Sequence, residues 1–421
     1  MKLFSAYYVF LLCATTVITV TGGVSAASAG EPIVIVGQNN APHQHIPDQP
    51  NLEQLRLAFA ANPYNLALKK NLASAVMMHG FALLKQSRYE EAAAQFEYAE
   101  ELFPDDPQAA FLRGNASFLL KQYDLARTEL EKARNLAGDA GANVAEILIL
   151  LGKVFYDTED IREAVALWEL AAQQDPENKM LRDLLTKAKQ ELTVDAGMGK
   201  DQSSRFILSY DAGIKSDAAD RVLAVLEDAY NRVGRDFSTY PESRVPVILY
   251  AGKDYRVITG SPEWSGGQYD GKIRLPVGGL TQVTPPIRGV LFHEYTHVVV
   301  RELTKGNCPV WLNEGLAETE GRSEFDPPLT TLNQAVSGGK LLPLSSLIGS
   351  FASLQGTSVD LAYQQSYSLV KYMVTTYGWH TMKDLLTALG EGLSFDAATV
   401  RAYQDVGRSF PEIVNEWRDS F

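Results

Sequence analysis

The chain has 421 residues, 46% hydrophobic and 21% charged, with 38 basic and 51 acidic side chains and a formal net charge of −13. This is ordinary globular composition, which excludes a collagen-like fibre, a disordered tail and a multi-span membrane protein, and the length allows two to three domains with separate cores. Net negative charge without a long Lys/Arg run argues against nucleic acid or an anionic membrane as the main partner.

The first segment reads as an export signal. Lys2 is the only charge before Glu31, an apolar run extends from about Val9 to Val20, and small residues follow from Val24 to Ala29. Residues 1–29 are therefore expected to be a signal peptide cut after Ala29, with Ala26 as the alternative, because the apolar run is short for a membrane span. The mature chain is expected to be exported, periplasmic or secreted, and to keep no membrane span. Cys13 leaves with the signal and only Cys308 remains, so no internal disulfide is available. A buried structural role suits Cys308 better than metal binding. Residues 30–50 carry Pro32, Pro42, Pro47 and Pro50 and read as an extended leader, with His43 and His45 as solvated side chains.

A helical repeat is expected over 51–193. Tyr89 and Tyr123 are 34 residues apart and Ile161 follows after 38, an insertion near Gly138–Val144. Each is followed by Ala three residues on (Ala92, Ala126, Ala164), by a large apolar residue seven on (Phe96, Leu130, Trp168) and by Ala ten on (Ala99, Ala133, Ala171). Each is preceded by Gly nine residues earlier (Gly80, Gly114, Gly152). Small residues let two helices approach, large ones fill the groove between them, and Pro104 and Pro176 end helices. The pattern resembles the tetratricopeptide repeat (TPR), a 34-residue helix-turn-helix unit. Three repeats are expected at about 73–106, 107–140 and 145–178, with capping helices near 51–61 and 179–193. The resemblance implies an all-α solenoid whose concave face holds a protein or peptide partner.

Residues 194–204 are polar and Gly-containing and read as a linker. Beyond it, strands are expected at Arg205–Ser209 and Val245–Tyr250, and a short strand at Gly271–Pro276, at a sheet edge. Helices are expected over Ser216–Phe237, from Pro285-Pro286 to about Leu303, and through most of the remainder to Phe421. The second domain, 205–421, is thus expected to open with a small sheet and end helical, making the whole chain α+β.

The chemistry concentrates in His293-Glu294-Tyr295-Thr296-His297, an H-E-x-x-H pattern on an expected helix with apolar flanks. Helical spacing puts both histidines on one face, where they can share a metal ion, and sets Glu294 beside them as general base toward a metal-bound water. No third His follows nearby. Trp311-Leu-Asn-Glu-Gly-Leu-Ala-Glu318 follows instead, and its Glu314 can complete a His2Glu zinc site with one open position. Glu318 lies on the same face and could substitute, but reads better as the acceptor that orients a ligand histidine. Asn313 is expected to fix the ligand helix or the substrate backbone.

These residues resemble the gluzincins, zinc peptidases of the thermolysin and aminopeptidase-N types. H-E-x-x-H followed by W-L-N-E-G is most similar to the aminopeptidase branch, whose N-E-G glutamate is the third zinc ligand, which implies that role for Glu314. Beside a TPR stack the pattern resembles the bacterial peptidase-MA-like domain proteins, in segments 268–276 and 362–372 as well. The resemblance further implies that Tyr363 stabilises the oxyanion, with Tyr367 as competitor. It also implies that zinc polarises a peptide carbonyl while Glu294 carries the proton to the leaving amine. One departure is that Gly266-Gly267-Gln268-Tyr269-Asp270 stands where that branch has G-x-M-E-N, so aminopeptidase specificity is not implied. The strand at 271–275 could still pair with an extended peptide. An exported zinc peptidase whose TPR module recruits substrate is the first expectation. The alternative is a TPR adaptor with an inactive or structural zinc domain, against which the intact Glu294 argues.

Overall fold

The computed structural model describes residues 49–138, 141, 143–259, 267–351, 354 and 356–421. The expected signal peptide and nearly all of the expected leader, with His43 and His45, lie outside the described residues. The described chain divides into two units, one ending at Asp195 and the other running from Ala196 to Phe421.

The first unit is wholly helical: α1 (Gln49–Ala61), α2 (Leu66–Lys85), α3 (Tyr89–Leu102), α4 (Pro107–Leu119), α5 (Tyr123–Ala137), α6 (Val144–Asp157), α7 (Ile161–Gln174) and α8 (Lys179–Asp195). Asn65 accepts hydrogen bonds from the backbone N–H groups of Ala67 and Leu68, and Asp106 from Gln108 ahead of Pro107, so side chains satisfy the open helix starts. The repeat glycines sit against the large residues of their own hairpins. A Cβ would lie 2.5 Å from Phe96 at Gly80, 2.8 Å from Leu130 at Gly114 and 2.3 Å from Trp168 at Gly152.

The three hairpin turns share a conformation that propensity does not announce. Ser87, Lys121 and Glu159 all adopt positive φ (58°, 58° and 65°). The next N–H in each turn donates back to the carbonyl of Leu83, Ser117 or Phe155 at 2.9–3.0 Å. This is a Schellman-type helix end built without its usual glycine, and backbone hydrogen bonding offsets the cost of the left-handed residue.

The second unit contains β1 (Gly199–Gln202), β2 (Phe206–Tyr210), α9 (Ser216–Phe237), β3 (Val245–Leu249), α10 (Gly252–Thr259), β4 (Gln268–Tyr269), β5 (Ile273–Leu275), α11 (Pro285–Thr304), α12 (Val310–Arg322), α13 (Thr330–Ser337), α14 (Thr357–Gly390), α15 (Phe395–Ala402) and α16 (Phe410–Asp419). The strand order is β1-β2-β3-β5-β4, with β2, β3 and β5 parallel and the outer two strands antiparallel to their neighbours. All five residues of β3 are buried, as a central parallel strand requires. The fold class is α+β.

Two expectations about strands are corrected. The segment read as a linker contains β1, whose Gly199 lies against the Tyr210 ring of β2. The strand at 271–275 is not an edge: β5 runs between β3 and β4, and Ile273, Arg274 and Leu275 are all buried. Arg274 can be interior because it donates to the Tyr250 hydroxyl at 2.5 Å and to Asp270 at 3.1 Å. The edge is β4, turned back from β5 through Asp270-Gly271, where Gly271 takes φ 104°.

Candidate metal centre

Helix α11 opens with Pro285 and Pro286, and every residue from Gly289 to Val300 is buried. A helix apolar on nearly all sides belongs inside a core, so its polar side chains are held in place by what surrounds them. Phe206 of β2 meets Tyr295 edge-on with ring centroids 5.7 Å apart, which lays α11 on the sheet. On its other side α12 crosses at a glycine pair. A Cβ at Gly289 would lie 3.0 Å from the Gly321 carbonyl, and one at Gly321 would lie 2.8 Å from the Gly289 carbonyl. Gly315 plays the same part toward α14, where a Cβ would lie 2.5 Å from the Ser366 carbonyl. These bare backbones seat α12 between α11 and α14.

From that crossing, side chains meet in antiparallel order. Glu314 Oε2 lies 3.5 Å from His293 Nε2 and 3.7 Å from His297 Nε2, and one ligand atom from each of these three buried residues lies within 4.8 Å of the others. His297 Nδ1 is 3.0 Å from Asn313 Oδ1. An amide oxygen can only accept, so Nδ1 donates and Nε2 presents its lone pair toward Glu314. On the outer side of the other ring, Glu318 Oε1 lies 3.4 Å from His293 Nδ1, while Arg322 Nε donates to Glu318 Oε2 at 2.8 Å. Burial opposes the charge on Glu318, yet His293 and Arg322 together hold its carboxyl below the usual carboxylate range. Glu318 therefore sits behind a ring, not in the three-residue cluster.

Glu294 is fully buried one residue along α11, and a Cβ placed on Gly267 would lie 2.4 Å from its Oε1. The backbone leading into strand β4 therefore runs directly past this carboxylate, and a Cβ there would have to displace it. The chain around 362–372 lies on α14. Tyr363 is buried with its ring edge-on to Phe351 at 5.2 Å. Tyr367 lies beneath the Arg322 guanidinium at 4.6 Å, and its hydroxyl accepts from Lys371 Nζ at 3.3 Å. Gln365 grips the backbone of Leu342 through both amide atoms, at 2.8 and 2.9 Å, and Gln364 accepts from Leu332 N at 2.9 Å, so this segment also anchors α13 and the loop after it. Cys308 is a free thiol in the α11–α12 loop, and burial pushes its pKa well up, which keeps it a thiol.

Two nitrogens and a carboxylate oxygen form the donor set of an open zinc site. His297 Nε2 is buried and has no hydrogen-bond partner among the described residues, so a cation would satisfy an atom the described protein leaves without one. The residues present fit the ion. Sequence reasoning met Gly267 only within the segment that stands where the aminopeptidase branch has G-x-M-E-N, and it did not name Arg322. Spacing could have pointed to Arg322, four residues after an acid that must be buried if it backs a ligand histidine.

Residues 227–420 match the Peptidase MA superfamily, and residues 77–143 match the tetratricopeptide repeat. No curated protein matches the chain. Among solved structures, the first TPR of Spaghetti (RPAP3) bound to the HSP90 peptide SRMEEVD aligns with 29% of this chain and 93% of its own, at 22% identity and a TM-score of 0.27. The chain thus carries a Peptidase MA superfamily domain over 227–420, preceded by tetratricopeptide repeats.

Proposed function

We propose that this is an exported zinc peptidase of the gluzincin type, periplasmic or secreted, whose repeat unit recruits a protein substrate or partner. The observation that carries the reading is the buried cluster of His293, His297 and Glu314, with ligand atoms within 4.8 Å and Glu294 on the next position of the same helix. His293, His297 and Glu314 would hold the ion. Zinc bound there would supply Lewis acidity toward the scissile carbonyl and toward water. Glu294 takes the proton of the attacking water and delivers it to the leaving amine. Asn313 and Glu318 keep the two imidazoles in the tautomer that offers Nε2. Tyr363 donates its hydroxyl to the oxyanion. An extended peptide would lie along β4, the outer strand of the sheet among the described residues, and the passage of Gly267 beside Glu294 brings that strand close to the base.

The test is metal content by mass spectrometry on the mature protein and on Glu294→Gln, with peptide-library cleavage by both. Near-stoichiometric zinc in both and cleavage by the parent alone supports the reading. Zinc without cleavage in either leaves a binding domain and shifts attention to the repeats. No zinc under metal-replete conditions removes the site.

A further inference from the structure

The Glu318 carboxylate can orient His293 only if it is itself held. Glu318 is 2% exposed, on a helix where a glutamate has several rotamers. Its Oε2 is taken by Arg322 Nε at 2.8 Å, which leaves Oε1 facing the imidazole at 3.4 Å. Arg322 is equally constrained, with its side chain 5% exposed. Its Nη1 donates to Asp326 at 2.9 Å and to the Pro327 carbonyl at 2.7 Å, and its plane lies over Tyr367 at 4.6 Å. Three parts of the fold therefore fix one guanidinium: α12, the segment after it, and α14.

From this geometry we infer that Arg322 is a positioning residue for the metal centre, acting on His293 through Glu318 and locked by Tyr367 and the 326–327 segment. The inference rests on the metal-site reading above. Only an arginine serves the arrangement. Its planar fork reaches Glu318 and Pro327 together while stacking on a ring, and a lysine ammonium of similar reach is a single point donor without that plane. Tyr367 thereby serves as the platform of this arginine.

The test is the zinc affinity of the mature protein, read by competition with a chromophoric chelator, for wild type, Arg322→Lys, Glu318→Gln and the double variant. Arg322→Lys is expected to weaken zinc binding about tenfold. The double variant is expected to bind no more weakly than Glu318→Gln, because both changes act through one contact. Ring 15N shifts of His293 give a second readout: one tautomer with the proton on Nδ1 in wild type, a mixture in Arg322→Lys. Unchanged affinity together with an unchanged tautomer in a folded Arg322→Lys protein overturns the inference. So does a double variant whose losses simply multiply. If Arg322→Lys does not fold, Glu318→Gln with Arg322→Met, which removes both charges of that pair, is compared with Glu318→Gln in the same way. Absence of zinc from wild type would sink the metal reading, while the His293 tautomer would still decide the role of Arg322.

Discussion

Both units bury carboxylates, but they surround them differently. In the repeat unit Glu100 receives Arg113 at 2.8 Å and Lys132 as well, and Arg113 also reaches Glu129 at 3.3 Å. Burial works against the charge on Glu100, but Lys132 and Arg113 outweigh it and hold its carboxyl below the ordinary range. At the α11–α12 seam Glu314 instead faces two imidazoles at 3.5 and 3.7 Å, which carry charge only when protonated. An uncompensated buried carboxylate costs several kcal/mol. In the first cluster the groups facing Glu100 are cations, and in the second those facing Glu314 are imidazoles, which the proposed cation would join. Burial of an acid therefore says little about function, whereas the identity of the groups facing it says a good deal.

The sharpest way to break this contrast is at the base. Glu294→Gln is expected to lower turnover of a short peptide by about 10²–10⁴-fold with zinc retained, while Arg113→Met in the repeats leaves that turnover unchanged. A steady-state assay on both variants that showed equal losses would erase the distinction between the units. Next in size is the repeat core. Trp168, fully buried against Gly152 and donating to the Ile149 carbonyl at 2.9 Å, anchors the third hairpin. Trp168→Ala is expected to destabilise the repeat unit by about 3–5 kcal/mol, seen as an earlier denaturant transition, again with short-peptide cleavage preserved.

A third prediction concerns pH. Burial, and then Asp236, raise the Glu320 carboxyl to about 7, against the Arg232 and Arg235 charges that lower it. Between its ordinary value of 4.5 and 7 the folded protein holds a proton that the unfolded chain has released. Stability contributed by this group therefore falls as pH rises through that window, by at most about 3 kcal/mol. Melting curves of Glu320→Gln should lack this decline, and a slope identical to wild type would contradict the assignment. A fourth effect is expected at Asn313, where Asn313→Ala frees the His297 ring and should weaken zinc binding about tenfold in chelator competition.

Much of this was legible along the chain. The 34-residue spacing of Gly80, Gly114, Tyr89 and Tyr123 locates the repeat helices, because each helix of a solenoid contacts mainly its sequence neighbours. The positions of His293 and His297 on one helix face follow from the helical period alone. What local pattern could not supply is pairing across distance. Strand order is set by which strands find one another, so β5 went inside and β4 to the edge, and the polar 199–202 segment became a strand through its partner β2. The non-glycine turns at Ser87, Lys121 and Glu159 are specified by the helices they join and not by their own preference for positive φ. The approach of Glu314 to both imidazoles, the backing of His293 by Glu318 and the stacking of Arg322 on Tyr367 all depend on how closely α11, α12 and α14 pack. Gly289, Gly315 and Gly321 set that closeness, and only contact between helices shows what a missing Cβ is for.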